Sequence, residues 1–280
     1  MTDFDHITPE LIAPDLNFRA YVRAIIRLVL LVSLLVLGSA VYIIIRMFEW
    51  PLVGKNRPVS GYITKLVCKG SLLVIGLRLF VSGVPMNKKG AIVSNHISWL
   101  DIFVLNSQAR MYFVAKSEVS GWPIIGWLAK LTGTIFIRRN KLYAKSQIKL
   151  FEDCLIEGQR VLFFPEGTSS DGLRVLPFKS TLFESFFGKS VKDLTFVQPA
   201  SISYFAPHSK DARFYAWFGE MSFAKHFFWV LSAKNRGHIK LKFYPALKVN
   251  KFNNRKQLTD ACFFEVQEGF MRQLKEIKGY

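Results

Sequence analysis

Gly90-Ala91-Ile92-Val93-Ser94-Asn95-His96-Ile97-Ser98-Trp99-Leu100-Asp101 is the stretch on which the fold of this chain turns. Residues 91–94 form a short apolar run of strand type. Ser94, Asn95 and Ser98 are turn and N-cap residues, and a helical pattern opens after them. A strand that turns directly into a helix is the repeating unit of an α/β domain. The alternation continues downstream, with further strands expected at 111–115, 134–138, 161–164, 196–204, 214–218 and 239–244 and helices between them. Two of those helices are well marked: 141–157 sets Ile148, Phe151 and Leu155 on one face and stops at Gly158, and 257–277 repeats Phe263, Val266, Phe270, Leu274 and Ile277. The fold class expected is α/β: a mixed central sheet flanked by helices, preceded by an N-terminal membrane-associated helical segment.

That segment is read from residues upstream of Gly90. Residues 28–45 run for 18 positions without a charge, between Arg19, Arg23 and Arg27 on one side and Arg46 on the other. Such a run can enter or barely span a bilayer core, which takes about 17–25 residues. It starts late and no small-residue cleavage site follows, so a signal peptide is not expected. A second apolar stretch, 71–81, is broken by Arg78 and too short to span, and reads as an interfacial or buried helix. Basic residues flank the first run on both sides, so charge gives no orientation. A single span and a re-entrant helical pair with both ends in the cytosol both fit. Residues 1–18, polar and carrying Pro9 and Pro14, read as a loose arm. The expected division is thus an arm at 1–18, a membrane-associated helical segment at 19–82 and an α/β domain at 83–280.

Half of the 280 residues are hydrophobic and 26 are Phe, which excludes disorder and points to a surface that meets lipid. The net charge of +18 calls for an anionic partner, nucleic acid or an acidic membrane face. The apolar run favours the membrane, where each surface Lys or Arg contributes roughly 1 kcal/mol of attraction to anionic lipid. No motif that reads DNA or RNA stands out, so no nucleic-acid partner is expected. Cys68, Cys154 and Cys262 are far apart, with no C-x-x-C and no His at ligand spacing; neither a metal site nor a disulfide framework is indicated, and a reducing, cytosol-facing location fits.

Three clusters carry chemistry. On a continuous helix His96 and Asp101 would sit about 140° apart, so their pairing requires His96 in the strand-to-helix turn. There Asp101 could accept from one imidazole nitrogen and leave the other free to take a proton. The second cluster, Phe163-Phe164-Pro165-Glu166-Gly167-Thr168-Ser169-Ser170, follows another expected strand and presents a carboxylate, a glycine and three hydroxyls where open α/β sheets bind ligands. The third, Gly133-Thr134-Ile135-Phe136-Ile137-Arg138-Arg139, puts two guanidinium groups at a strand end, suited to an anionic substrate group.

Taken in order, these blocks resemble the glycerolphosphate and lysophosphatidate acyltransferase family: N-H-x-S-x-x-D at 95–101, G-x-x-F-I-x-R at 133–139, F-P-E-G-T at 164–168 and a hydrophobic-Pro block at Val197-Gln198-Pro199-Ala200. The resemblance covers roughly residues 85–205. It implies that His96 removes the proton from an acceptor hydroxyl and that Asp101 orients and balances the imidazole. It also implies that Glu166 and Gly167, with Thr168 beside them, bind the acceptor, that Arg138 or Arg139 meets its phosphate, and that Lys116 and Lys179 are supporting basic positions. No cofactor is implied. The acyl donor would be acyl-CoA or acyl-carrier protein, the acceptor a lysolipid, and the place the cytoplasmic face of the inner membrane.

The resemblance points first to conversion of 1-acyl-sn-glycerol-3-phosphate to phosphatidate. One departure bears on the acceptor: many family members that use lysophosphatidate carry Arg directly after F-P-E-G-T, and Ser169 stands there in this chain. Arg138, Arg139 or Arg174 could compensate. The version ending at Asp171-Gly172 also looks like that of bacterial lyso-ornithine lipid acyltransferases, the alternative acceptor class. Two other readings have less support: a serine hydrolase built on Ser98 or Ser169, which lacks a G-x-S-x-G elbow, and a non-catalytic basic binding protein on this scaffold.

Overall fold

The structure is a computed structural model, which describes residues 16–138 and 144–278. Most of the expected arm, the start of the expected 141–157 helix and Arg139 lie outside the described residues. Asn17 accepts from the Ala20 amide at 3.0 Å and caps a single long helix, α1 (Phe18–Val53). It carries the whole charge-free run. α2 (Ser60–Ile75) returns antiparallel beside it, Gly38 against Val67 and Gly70 against Leu34; a Cβ on Gly38 would come within 2.3 Å of the Val67 side chain, so glycine permits the close approach. Glu49, an acid inside an apolar helix, is explained by this hairpin. Its carboxylate accepts from the Val59 and Ser60 amides at 2.7 and 3.3 Å and so caps the start of α2.

The sheet, among the described residues, has eight strands in the order β1-β7-β6-β2-β5-β3-β4, with β8 beside β6. The strands are β1 (Arg78–Ser82), β2 (Gly90–Ser94), β3 (Tyr112–Lys116), β4 (Ile135–Ile137), β5 (Arg160–Phe163), β6 (Phe196–Phe205), β7 (His238–Phe243) and β8 (Leu247–Lys248). β6, β2, β5, β3 and β4 run parallel, β7 and β8 are antiparallel to β6, and β1 is parallel to β7. The mixed sheet expected from the sequence is therefore present. β2 lies between two parallel neighbours and is buried along its whole length, which is why it reads as a continuous apolar run.

Pro199 sits inside central strand β6, where proline normally breaks a ladder. Its carbonyl accepts from the Tyr244 amide at 3.0 Å, so its nitrogen faces the same side. There β6 pairs β8 only to Val197 and β7 only from Ala200, and the missing N–H falls in that gap.

Side chains alternate between two apolar layers. Ile92 and Leu162 enter one, with α3 (Leu100–Asn106) and α6 (Phe223–Ser232); Ala91, Val93, Val161 and Phe163 enter the other, with α5 (Ala144–Ile156). α7 (Arg255–Lys278) packs on β6 through a stripe of Leu258, Cys262, Val266 and Phe270, and α4 (Ile125–Leu131) precedes β4.

Two sequence expectations are corrected. The 71–81 stretch is not one helix: α2 stops at Ile75 because Gly76 takes a left-handed conformation (φ 84°), and Arg78 onward becomes edge strand β1. Residues 214–218 form no strand. The Asp211 side chain accepts from the Arg213 amide and starts a succession of turns, so the run Phe214-Tyr215-Ala216-Trp217-Phe218 is apolar because it is packed among α6, α3 and β6, not because it is pleated.

The hairpin is fastened to the α/β domain at both ends. Near the start of α1, Arg23 and Arg27 donate to carbonyls that end α6; near the hairpin turn, Arg57 donates to the Met111 carbonyl at 3.1 Å and Lys55 pairs with Glu157 at 2.9 Å. The outer face of α1 between these anchors, including Val29, Val36, Leu37 and Ile44, is exposed.

Candidate active site

The sequence at the end of β2 builds the site. The ladder with β6 ends at Ser94, and the Asn95 side chain extends it by donating to the Ile202 carbonyl (2.9 Å) and accepting from the Ile202 amide (2.8 Å). Residues 95–98 then turn outward before α3 starts at Leu100, so His96 lies in the turn that its pairing with Asp101 requires. His96 Nδ1 is 2.7 Å from Asp101 Oδ2, and the same oxygen accepts from the amides of Ile97 (2.8 Å) and Ser98 (3.0 Å). Asp101 Oδ1 accepts from the Tyr204 hydroxyl at 2.7 Å.

Four donors thus converge on one fully buried carboxylate, which supplies the hydrogen bonds a buried charge needs. Burial beside Asp101 pushes the Tyr204 phenol well above its ordinary range and keeps it a donor. With Nδ1 committed to Asp101, Nε2 is the nitrogen left to exchange a proton. The imidazole lies flat on the Phe164 ring (centroids 4.1 Å apart, planes at 12°) and is one-fifth exposed.

Phe164 belongs to the second cluster, which follows β5. The Gly167 amide donates to the Phe164 carbonyl at 3.1 Å, closing a turn in which Gly167 has φ 76°, a conformation an L side chain resists. The turn drives Glu166 inward. Its Oε1 accepts from the His96 amide at 3.1 Å and its carboxyl also meets the Leu176 amide, while Oε2 is buried with no partner. Burial pushes the Glu166 carboxyl well up, outweighing those two amides; nearby Asp101 and Asp171 act in the same direction. A carboxyl that keeps its proton would have Oε2 as the oxygen with a hydrogen bond to give. Two more bonds clamp the histidine loop: the Ser170 amide to the His96 carbonyl (2.8 Å) and the Trp217 amide to the Ile97 carbonyl (2.9 Å).

The basic candidates separate by strand. Carried just past the strand ends, the register brings 96 after β2 level with 166 after β5, 117 after β3 and 138 after β4. Lys116 and Arg138 therefore lie, exposed, at the same end of the sheet as His96, on or just past strands two and three places from β2. The Lys179 amide donates to the Pro165 carbonyl at 3.0 Å, which fixes its backbone beside the Glu166 turn; the side chains of Thr168 and Lys179 are exposed. Arg174 forms a two-point pair with Asp171 (Nη2 to Oδ2 2.6 Å, Nε to Oδ1 3.3 Å), so its guanidinium is already engaged.

Neither serine fits a nucleophile. Ser98 Oγ is buried without a partner, hence not bonded to His96, and Ser169 Oγ donates to the Trp217 carbonyl.

A relative from Rhodobacter capsulatus, a lyso-ornithine lipid O-acyltransferase, is 47% identical over 235 residues, spanning 84% of this chain and 85% of its own. The chain belongs to the acyltransferase family. The acyltransferase family model matches residues 78–201, the segment from β1 through the start of β6 that holds all three motif clusters. A 1-acyl-sn-glycerol-3-phosphate acyltransferase from Neisseria gonorrhoeae is 39% identical over 129 residues, 45% of this chain and 51% of that protein. The crystal structure of the 1-acyl-sn-glycerophosphate acyltransferase PlsC from Thermotoga maritima superposes with a TM-score of 0.60 at 20% identity, covering 90% of this chain and 98% of that one; this is a likeness of fold.

Several residues of this acyltransferase site escape sequence reasoning. Tyr204 lies 103 residues from Asp101, and only the β2–β6 pairing brings it there. An aromatic wall of Trp99, Trp122, Trp217, Phe223 and Phe227 packs beside the histidine loop, and His226 fixes it by accepting from Trp99 Nε1 at 3.0 Å. Burial lowers His226 to about 4, so it is a neutral acceptor there. The aromatic richness of 214–228 was the available signal.

Proposed function

We propose that this acyltransferase moves a fatty acyl group from a thioester, acyl-CoA or acyl-carrier protein, onto the hydroxyl of a lyso-ornithine lipid at the cytoplasmic face of the membrane. The observation that carries the chemistry is the 2.7 Å bond between His96 and Asp101, which leaves Nε2 as the base. Nε2 takes the hydroxyl proton as the oxygen attacks the thioester carbonyl; the carbon–sulfur bond breaks, and the proton passes to the departing thiolate. Asp101, held by its four donors, balances the imidazolium formed between these steps. Glu166, neutral, donates to the acceptor's polar end, with Gly167 and Thr168 alongside. The aromatic wall gives the acyl chain an apolar path.

Two observations favour the acceptor. The position after F-P-E-G-T holds a serine tied to the Trp217 carbonyl, and Arg174 is already neutralised by Asp171, so this turn offers no unengaged guanidinium to a phosphate monoester. The relative that is 47% identical over 84% of the chain is a lyso-ornithine lipid O-acyltransferase. Lysophosphatidate is the second reading, supported by Lys116 and Arg138 at the same end of the sheet and by the shorter match to the Neisseria protein.

The hairpin supports a membrane-embedded pair over a single span. Both ends of α1 are fastened to the same α/β domain, which cannot stand on two sides of a bilayer, while the exposed apolar face between them suits burial in one leaflet.

The test is acyl transfer from labelled acyl-CoA and acyl-carrier protein to lyso-ornithine lipid and lysophosphatidate, with wild type and His96→Ala side by side. Wild-type product from lyso-ornithine lipid, reduced about 10²–10⁴-fold in the variant, is expected. Near-normal turnover by His96→Ala would remove the general base; product from lysophosphatidate alone would reassign the acceptor.

A further inference from the structure

We propose that the cleft between the start of α1, the end of α2 and Arg236 binds the phosphodiester headgroup of an anionic glycerophospholipid. Arg23, Arg27 and Arg236 converge there, and among the described residues none of them forms an ion pair. Arg23 Nε donates to the Ser232 carbonyl (2.7 Å), and Arg27 Nη1 donates to the Leu231 and Ala233 carbonyls (2.6 and 2.8 Å), which end α6. Capping α6 accounts for those atoms alone. Arg27, only 5% exposed, has its Nη2 buried without a partner, and Arg236 lies exposed across Gly76. A helix C-terminus carries about half a negative charge, so three guanidinium groups around it leave roughly two and a half positive charges unbalanced.

The shape selects a lipid over a small anion. The cleft holds about 550 Å³; Arg19 also lines it, and its apolar walls are Phe18, Val22, Ile26, Leu30, Leu73 and Val74. This apolar strip continues into the exposed outer face of α1, so acyl chains could leave the headgroup along it without crossing water. A neighbouring cleft of about 730 Å³ shares Arg236 and adds Arg78, Lys234 and Lys240, which strengthens the field on an anion. The site lies at the opposite end of α6 from His226 and Trp99, and so apart from the His96 pocket. A headgroup held here ties α1, α2 and α6 together at the membrane surface.

The experiment titrates the purified full chain in non-ionic detergent with dioctanoyl phosphatidylglycerol and follows the unfolding temperature. A saturable rise is expected. Arg236→Gln, at an exposed position, should raise the half-saturating concentration tenfold or more, as should Arg23→Gln/Arg236→Gln, since a guanidinium–phosphate pair is a charge-assisted two-point contact. Lys251→Gln/Lys256→Gln, which removes the same charge elsewhere, should leave it unchanged. The proposal is overturned if Arg236→Gln follows the wild-type curve, if dioctanoyl phosphatidylcholine protects equally, or if inorganic phosphate alone gives the full effect.

Discussion

Glu166→Gln tests the electrostatics of the site directly. The carboxyl is buried, two backbone amides meet it through one side, and the other oxygen has no partner, so burial holds its proton in the folded state well above the ordinary value of 4.5. Below pH about 4.5 both folded and unfolded chains carry that proton. As pH rises above it the unfolded chain releases the proton and the folded chain does not, so stability falls. The slope for one proton is about 1.4 kcal/mol per pH unit until the folded group itself ionises. Glutamine presents a carbonyl to the His96 amide and an NH₂ in place of the protonated Oε2, with no proton to lose. The stability of Glu166→Gln relative to wild type should therefore rise with pH from about 4.5 upward. Each pH unit is worth about 2 °C in unfolding temperature for a chain of this size. Thermal unfolding of both proteins in the same detergent between pH 5 and 7 reads the difference, and all other titrating groups cancel. Parallel pH profiles would mean that Glu166 is ionised in the fold, and the donor role assigned to it would fail.

Asn95→Ala removes both bonds to Ile202 and leaves a buried amide and carbonyl unpaired; a loss of roughly 2–4 kcal/mol is expected, and an unchanged denaturation midpoint would show that the turn does not need this support. Tyr204→Phe takes one of four donors from Asp101; kcat should fall several-fold with KM unchanged, and a change confined to KM would place Tyr204 at the substrate instead. Leu37→Asp, on the exposed face of α1, forfeits the burial of a leucine, about 1.5–3 kcal/mol, so vesicle partitioning should drop ten- to a hundredfold; retention of full binding would move the membrane contact elsewhere.

The sequence by itself determined those features whose cause is local. The 91–94 run followed by turn formers placed a strand, a turn and a helix, and with them His96 and Asp101, because pairing at that spacing has one solution once a turn intervenes. The charge-free run announced α1, and the stripes around Phe151 and Val266 announced α5 and α7, since helical periodicity is written within a few turns. The run 214–218 is apolar without being a strand, because burial and pleating give the same composition, and 71–81 divides at Gly76, which ends a helix only by adopting a left-handed conformation. Tertiary structure alone decided the rest. Tyr204 reaches Asp101 through the register of β6 on β2, and the Glu166 carboxyl is pushed well up because a turn buries it beneath the histidine loop. The three arginines converge because α1 packs across the end of α6. Contacts between residues a hundred positions apart depend on strand order and helix docking, and no local pattern encodes either.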